Sequence, residues 1–394
     1  MLDTPVTPPG PYDSSADTLT VSPIQQSRTP LKAKILHVVN GEHYSGAERV
    51  QDLLGNRLPG LGYEVSFACV KPKLFPEKRK HKQVAIYETP MRNRVDLFAA
   101  AKIGDLIREH EFKMVHAHTP RSALVGAMAA KKWGVPFVFH VHSPTSRDST
   151  RKVINWFNQR VENWSIRNAA KIITVSNSLK EHMVELGFED SKITVVPNGV
   201  PMQDDPIYSV SDDPFVIGTV ALFRPRKGTE ILLEAVAKLK RQYNVKVLAV
   251  GPFETEEYEK HLKALVRELE IEDQVAWTGF TTNVDAQFSR MNLFCLPSLF
   301  GEGLPMVVLE AMSHRVPVVA SNVEGIPQAV RDGVDGLIAE AGDAADLADK
   351  IQSLIEERKL CETMSENAFD RQQQQFSDWS MARGLAQVYD ELLA

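Results

Sequence analysis

The sequence Ile35-Leu36-His37-Val38-Val39 is a short apolar run, and a glycine-bearing segment at residues 40–46 follows it directly. We predict a strand for this run and a helix from Ala47 to about Leu58. A buried strand, a glycine-containing loop and a helix in this order are typical of the first unit of a doubly wound α/β sheet.

Further apolar runs of strand length follow, and helical stretches separate them. In the first half, strands are predicted at 64–70, 114–118, 136–141 and 171–175, with helices at 96–109 and 121–132. The pattern stops at Pro197-Asn198-Gly199-Val200-Pro201 and an acidic stretch at 203–214, whose composition is that of a linker. It then restarts with strands at 215–220, 246–250, 274–277, 293–296 and 316–320 and helices at 230–240, 256–269 and 305–313.

The fold class predicted from this pattern is α/β, with two doubly wound parallel-sheet domains that face each other across a cleft. The cleft is the expected ligand site, because such sheets bind ligands outside the carboxyl ends of their strands. We predict a disordered tail at 1–33, an N-terminal domain at 34–205, a second domain at 206–375, and a helix at 376–394 that crosses back to the first domain.

Composition excludes several protein classes. The 394 residues are 43% hydrophobic and 24% charged, which is ordinary for a globular protein and excludes a fibrous or wholly disordered chain. No apolar run approaches the ~18 residues of a membrane-spanning helix. The three cysteines are far apart, so they predict neither a disulfide framework nor a zinc knuckle, and we expect a cytoplasmic protein.

Charge is distributed unevenly along the chain. Residues 34–205 carry 25 Lys/Arg against 18 Asp/Glu, whereas residues 206–394 carry 18 against 30. A basic half beside an acidic half suggests that the basic half meets an anionic partner.

The strongest motif covers residues 298–312 and contains Glu302, Gly303, Pro305 and Glu310. It follows a predicted strand and opens a predicted helix, where free main-chain amides and the helix dipole favour a diphosphate. Pro305 suits the first helical position. The two glutamates, eight residues apart, would be about 12 Å apart along a helix, a separation that suits the two sugars of a nucleotide sugar. An exposed glutamate on a capped helix is the alternative interpretation.

A cationic loop follows the first strand of the second half. Arg224, Arg226 and Lys227 lie there in a half of the chain whose net charge is negative. Three cations can hold a diphosphate and stabilise the charge that grows as it leaves. A solvated basic loop is the alternative.

Histidines recur at the ends of two strands, as His116 and His118 and then as His140 and His142. We expect His116 and His118 to face opposite sides of their strand and therefore not to chelate one metal ion together. His118, nearer the carboxyl end, is better placed for a ligand. The sequence has no Asp-x-Asp, and we identify no Cys/His cluster, so no metal-bound diphosphate is expected.

Taken together and in order, these motifs resemble those of the retaining glycosyltransferases of family 4, which have the two-domain GT-B fold. The resemblance covers residues 34–394. It is carried by residues 45–49, 115–118, 174–176, 196–200, 227–228 and 302–310. It implies transfer of a sugar from a nucleotide sugar to an acceptor hydroxyl with retained anomeric configuration, and no cofactor or metal ion.

The resemblance also implies roles for individual residues. Lys227 would bind the donor diphosphate, Glu310 the ribose, and His118 would lie near the sugar at the reaction centre. Gly46 would let the first domain close on the donor. Glu302 would contact the transferred sugar and phosphate together with the residues after it, which are Gly303, Leu304, Pro305 and Met306. Leu222 stands where the family usually has an arginine, and either Arg224 or Arg226 could replace that charge.

Residues 71–82 hold six Lys/Arg against one Glu and form a candidate acceptor side. We assign Lys78, Arg79 and Lys80 to it, together with His142. Such a patch suits an anionic, lipid-linked acceptor or peripheral contact with the anionic inner face of a membrane. A solvated loop is the alternative. No nucleic-acid module is recognised, so nucleic acid is not an expected partner.

The sequence therefore predicts a glycosyltransferase of polysaccharide or glycolipid assembly. Two other functions stay open, namely a sugar-nucleotide epimerase or hydrolase of the same fold and a non-catalytic nucleotide-sugar-binding module. The donor base, the sugar and the acceptor are not fixed by fold or reaction class.

Overall fold

The computed structural model describes residues 30–93, 96–143, 163, 165–204, 206 and 213–394. Within them the chain forms two parallel sheets, one of seven and one of six strands, with helices between successive strands. The predicted pair of parallel-sheet α/β domains is thus confirmed.

The first sheet has the strand order β3-β2-β1-β4-β5-β6-β7. Its strands are β1 (Ala33–Val39), β2 (Tyr63–Cys69), β3 (Ala85–Glu88), β4 (Met114–Ala117), β5 (Phe137–Val141), β6 (Lys171–Thr174) and β7 (Ile193–Val195). Its helices are α1 (Gly46–Arg57), α2 (Leu74–Lys78), α3 (Leu97–His110), α4 (Pro120–Trp133) and α5 (Asn177–Glu185).

The second sheet has the order β10-β9-β8-β11-β12-β13. Its strands are β8 (Phe215–Val220), β9 (Val245–Val250), β10 (Val275–Gly279), β11 (Leu293–Leu296), β12 (Val318–Ser321) and β13 (Leu337–Ala339). The helices are α6 (Thr229–Leu239), α7 (Glu256–Glu268), α8 (Asp285–Phe288), α9 (Met306–Ser313), α10 (Ile326–Ala329), α11 (Ala344–Glu356), α12 (Arg358–Gln375) and α13 (Asp378–Leu393).

Strand β1 lies in the interior of the first sheet, and this explains its continuous apolar sequence. It pairs with β2 on one side and β4 on the other, and Ile35 is in register with both Val65 and Met114. Strands covered on both faces are apolar at successive positions rather than at alternate ones. The chain order reverses between β1 and β4, so the loops after these strands meet at the edge where ligands of such sheets bind.

Helix α13 follows the second domain in the chain but packs on the first. Arg57 of α1 donates from Nε to Asp378 Oδ2 at 2.7 Å, and the Tyr63 hydroxyl donates to Asp390 Oδ1 at 2.6 Å. Asp378 is fully buried and the Arg57 side chain is 28% exposed, so their ion pair is partly shielded from solvent. These contacts attach the end of the chain to α1 and β2.

Several boundaries differ from the sequence-based expectations. Strand β1 begins at Ala33, and the main-chain amide of Lys32 donates to Gly62 O at 2.8 Å. The last residues of the predicted tail are therefore part of the folded domain. The rest of that tail, 1–29, lies outside the described residues, as do 205 and 207–212 of the linker. Helices α11 and α12 were not predicted. Among the described residues, none of the helices is long and apolar enough to span a membrane.

Candidate functional site

The loop between β11 and α9 carries the strongest sequence motif, and Glu302 is its most enclosed charged residue. Glu302 is 5% exposed, and its Oε1 accepts hydrogen bonds from Lys227 Nζ and from Ser298 Oγ, the latter at 2.7 Å. Arg226 Nη1 lies 3.5 Å from the same oxygen. Burial on its own would raise the pKa of Glu302, but the positive charges of Lys227 and Arg226 hold it below its ordinary value. The carboxylate is therefore ionised in the site.

The main chain around Glu302 is also fixed. Its N–H donates to the Glu324 carboxylate, and its carbonyl accepts from Gly325 N at 3.0 Å. Glu302 precedes α9, which begins at Met306 with Pro305 as its N-cap residue. Two expectations were therefore wrong. Pro305 is not the first helical residue, and a helical rise does not describe the separation of Glu302 and Glu310, because the loop between them is not helical.

The same loop contacts the first domain at two points. Asn198 Nδ2 donates to Leu304 O at 2.9 Å. A Cβ atom on Gly303 would lie 2.1 Å from His142 O, so only glycine allows the backbones of the two domains to approach this closely. A Cβ on Gly46, in contrast, would meet nothing within 4 Å. The sequence motifs thus converge where the two domains touch.

Glu310 points into this region from α9 and pairs with the first domain. Its Oε1 accepts from Arg49 Nη2 on α1, while its Oε2 is buried and has no hydrogen-bond partner among the described residues. Ser45 caps α1 and donates from Oγ to Glu48 Oε2 at 2.8 Å, and this fixes the first turn from which Arg49 extends. One oxygen of Glu310 is therefore left for a further donor.

The arginine side chains of the cationic loop, Arg224 and Arg226, extend toward different partners. Arg226 Nη1 donates to Gly301 O at 3.0 Å and lies beside Glu302, whereas Arg224 Nη1 lies 3.4 Å from Glu254 Oε1. Leu222 is 42% exposed. Arg226 is therefore the better replacement for the charge that is missing at Leu222, and Arg224 is turned toward a different acid.

Five histidines from three neighbouring strands meet at the first-domain side of the cleft, and we call them the histidine cluster. They are His37, His116, His118, His140 and His142. The expectation that His116 and His118 face opposite sides was wrong, since their rings stack with centroids 4.2 Å apart. Residues two apart on a strand point to the same face.

Tyr389 of α13 begins a chain of hydrogen-bond contacts through the cluster. Its hydroxyl lies 3.0 Å from His37 Nε2 and 2.6 Å from His116 Nδ1. His37 Nδ1 lies 3.1 Å from His118 Nε2, and His118 Nδ1 lies 3.1 Å from His142 Nε2. The cluster thus connects the C-terminal helix to the cleft.

Burial makes these imidazoles neutral. It lowers the pKa of His37 and of His142 to about 3, and it lowers the pKa of His116, His118 and His140 well below the ordinary value. A neutral imidazole offers a lone pair to a metal ion. Nitrogen atoms of His37, His116 and His118 lie within 4.8 Å of one another, as do those of His118, His140 and His142. The expectation that the chain lacks a Cys/His cluster was therefore wrong. That catalysis needs no metal ion stays a prediction.

The predicted acceptor side divides into exposed and buried cations. Lys78 and Lys80 are exposed, but Arg79 is 6% exposed and donates from Nη1 to Val84 O at 2.6 Å and to His81 O at 3.1 Å. Arg79 stabilises its own loop, so its assignment to acceptor binding was wrong. His142, the fourth assigned residue, contacts Gly303 and His118 instead of this loop.

Sequence reasoning assigned no role to several residues that build the site. Arg49 belongs to the glycine-loop segment 45–49, and Asn198 belongs to the Pro-Asn-Gly turn at 197–199. Membership of these motifs was the available signal for both residues. Ser298 is the first residue of the 298–312 motif and bonds within it, whereas Glu324 and Tyr389 reach the site only through the folded chain.

Comparison with known proteins identifies the kind of molecule that has this geometry. The family model described as "Glycosyltransferase Family 4" matches residues 44–204, and the model "Glycosyl transferases group 1" matches residues 203–371. A capsular polysaccharide biosynthesis glycosyltransferase, CapM of Staphylococcus aureus, is 26% identical over 80% of this chain and 88% of its own length. A UDP-Gal:α-D-GlcNAc-diphosphoundecaprenol α-1,3-galactosyltransferase of Escherichia coli is 24% identical over 86% of this chain and 92% of its own.

Solved structures agree on the fold. Anabaena HepE in complex with UDP-glucose superposes with a TM-score of 0.79 at 23% identity, over 91% of this chain and all of that one. A sucrose-phosphate synthase of Thermosynechococcus elongatus superposes with a TM-score of 0.77 at 20% identity, over 92% of this chain and 99% of that one. The architecture is GT-B, as predicted. Because the two family models together account for residues 44–371, the chain belongs to the GT-B glycosyltransferases of family 4 and group 1 that they describe.

Proposed function

We propose that the protein transfers a sugar from a nucleotide sugar to an acceptor hydroxyl, with retention of configuration and without a metal ion. The observation that carries this proposal is the buried arrangement of Lys227, Arg226 and Ser298 around the ionised Glu302, with Glu310 on the adjoining helix. It combines cations for a leaving diphosphate with carboxylates that can accept sugar hydroxyls.

In this proposal the second domain holds the donor. Lys227 and Arg226 neutralise the diphosphate as negative charge develops on it, and the amino-terminal end of α9 adds its dipole. Glu302 accepts hydroxyls of the transferred sugar, and the unpartnered Oε2 of Glu310 accepts a ribose hydroxyl. The residues after Glu302, namely Gly303, Leu304, Pro305 and Met306, form the wall beside the sugar.

The first domain supplies the acceptor side in this proposal. His118 faces the sugar, and attack occurs on the face from which the diphosphate leaves, so that the departing diphosphate accepts the proton of the acceptor hydroxyl. The protein then contributes position and electrostatic stabilisation instead of a covalent nucleophile. Exposed Lys78 and Lys80 offer positive charge to an anionic acceptor or to a membrane surface.

Substrate classes follow from relatives. The galactosyltransferase relative is named for a UDP-sugar and a diphosphoundecaprenol acceptor, and HepE was solved with UDP-glucose. We therefore propose a UDP-sugar donor and a lipid-linked saccharide acceptor, for polysaccharide or glycolipid assembly at the cytoplasmic face of a membrane.

A panel of UDP-, GDP- and ADP-sugars tests the proposal in the presence of a chelator. Thermal shift identifies the donor, and release of free nucleotide on addition of lipid-linked saccharides reports turnover. We expect Lys227→Ala and Glu302→Gln each to abolish turnover. Lys263→Ala removes a lysine from an exposed pair with Glu259 and is the matched control that keeps activity.

The outcomes separate the competing functions. Donor binding without turnover in any lipid extract favours a non-catalytic binding module. Turnover of the donor with water alone favours a hydrolase, and conversion of the sugar without release of nucleotide favours an epimerase. No binding of any donor contradicts the proposed roles of Lys227, Glu302 and Glu310.

A further inference from the structure

The histidine cluster contains more imidazoles than glycosyl transfer uses, and three of them have the arrangement of a metal site. His37, His116 and His118 come from β1 and from the end of β4, and all three are at least 97% buried. Their ligand nitrogens lie within 4.8 Å of one another. We propose that these three residues bind a borderline divalent transition-metal ion such as Zn²⁺.

Distances between the rings agree with a single ion. His37 Nδ1 and His118 Nε2 are 3.1 Å apart. Zinc–nitrogen bonds of about 2.0–2.1 Å in tetrahedral geometry separate two ligand nitrogens by about 3.3–3.4 Å. Ring centroids around such an ion would lie about 5 Å apart. Here the His37–His118 and His37–His116 centroids are 5.0 and 4.7 Å apart, and the His116–His118 pair, at 4.2 Å, would have to open by about 1 Å.

The ring nitrogens that would not bind the ion each lie within hydrogen-bond distance of another side chain. A metal-bound histidine usually donates its other N–H to an oxygen or another acceptor, and this fixes its tautomer. The Tyr389 hydroxyl oxygen lies within hydrogen-bond distance of His37 Nε2 and His116 Nδ1, and His142 Nε2 lies within that distance of His118 Nδ1. With protons on these three outer nitrogens, His37 Nδ1, His116 Nε2 and His118 Nε2 all present lone pairs.

His116 Nε2 is the second, independent sign of a missing ligand. It is buried and has no hydrogen-bond partner among the described residues. An unpaired buried polar atom destabilises the folded chain, and coordination of an ion would remove that penalty.

The second group, His118, His140 and His142, is a weaker candidate. Both ring nitrogens of His140 are buried without a partner among the described residues, so no acceptor holds the outer nitrogen of that ring. The two groups share His118, so one ion occupies only one of them. This difference makes His140 a matched control.

The experiment measures metal binding directly in the tag-free, chelator-treated full chain. Cobalt(II) serves as the probe because tetrahedral coordination gives it strong visible absorption, and Zn²⁺ should displace it at one ion per chain. We expect His116→Gln to abolish binding and His140→Gln to keep it. Tyr389→Phe should weaken the affinity for the metal ion by about 10–100-fold, which is the usual effect of removing a group that hydrogen-bonds a metal ligand.

Several results would overturn the site. They are the absence of stoichiometric binding to the unaltered chain, loss of binding in His140→Gln, and full affinity in His116→Gln. If His116→Gln fails to fold by circular dichroism, His37→Gln and Tyr389→Phe provide the same comparison. Because His118 is also proposed to face the donor sugar, an ion there would compete with the donor. That consequence rests on the proposed function, whereas the binding measurement needs no donor.

Discussion

Arg49 on the first domain donates a hydrogen bond to the carboxylate of Glu310 on the second. Side-chain exposures of 30% and 9% make this a partly buried ion pair across the cleft. Arg49 bonds Oε1 of Glu310, and Oε2 of Glu310 has no hydrogen-bond partner among the described residues. Arg49 therefore both joins the domains and fixes the carboxylate in the orientation that a donor hydroxyl would meet.

Arg49→Ala should weaken donor binding. Without Arg49 the Glu310 carboxylate is no longer held in place for the donor, and we expect the dissociation constant of the nucleotide sugar to rise by about tenfold, which corresponds to a loss of about 1.4 kcal/mol of preorganisation. Calorimetric titration measures it. Arg315→Ala removes an arginine paired with Glu366 within the second domain and is the control. Unchanged or tighter donor binding in Arg49→Ala would contradict the role given to Arg49.

Gly303→Ala should prevent the two domains from closing. The added Cβ would lie 2.1 Å from the His142 carbonyl oxygen, which belongs to backbone and cannot rotate away. We expect loss of transfer and a larger radius of gyration by solution scattering with donor bound, while each domain keeps its secondary structure. Normal transfer by this variant would show that the close contact at Gly303 is not needed for the reaction.

Acid should destabilise the protein steeply through the histidine cluster. Burial lowers the pKa of His37 and His142 to about 3 in the folded chain, whereas a histidine in the unfolded chain titrates near 6.5. Between these values the unfolded state binds protons that the folded state excludes. The free energy of unfolding is therefore highest above about pH 6.5. It falls as the pH drops toward about 3, by up to about 1.4 kcal/mol per pH unit for each histidine.

Urea unfolding at several pH values between about 7 and 5 measures this slope. His140→Gln removes one buried imidazole whose pKa is also lowered. It should reduce the slope by up to about one proton at the acid end of this range, which is up to about 1.4 kcal/mol per pH unit. An unchanged slope would mean that His140 binds a proton equally in the folded and unfolded chains.

Chelators should not lower glycosyl transfer. Lys227 and Arg226 lie beside Glu302, and in the proposed function they supply the positive charge that a divalent cation would otherwise bring to the diphosphate. The measurement is nucleotide release with excess EDTA, compared with release after Mg²⁺ or Mn²⁺ is restored. Activity that stops with EDTA and returns with either ion would show that catalysis depends on a metal ion.

Contiguous patterns predicted much of this molecule. The apolar run at residues 35–39 predicted a strand, which is β1 in the structure, and the motif at 298–312 predicted the start of a helix after a strand. Helix α11 has regular apolar spacing and α12 is only weakly amphipathic, and neither was predicted because neither carries a chemical motif. Local patterns were therefore sufficient where they accompanied a motif.

Features that depend on sheet order were not predicted. His37, His118 and His142 are far apart in the sequence and meet because β1, β4 and β5 are neighbours. The expectation for His116 and His118 failed for a simpler reason, since residues two apart share a face of a strand. Likewise, the run of cations at 71–82 gave no sign that main-chain carbonyls would enclose Arg79.

The packing of α13 on the first domain has a consequence for synthesis on the ribosome. Tyr389 is translated only after the whole second domain, yet its hydroxyl is a partner of His37 and His116 in the first. Until α13 leaves the ribosome, His37, His116 and Arg57 of the first domain lack the hydrogen-bond partners that Tyr389 and Asp378 provide. The first domain is thus completed only after α13 has been translated, and a ribosome that stalls within the second domain leaves the first domain without these contacts.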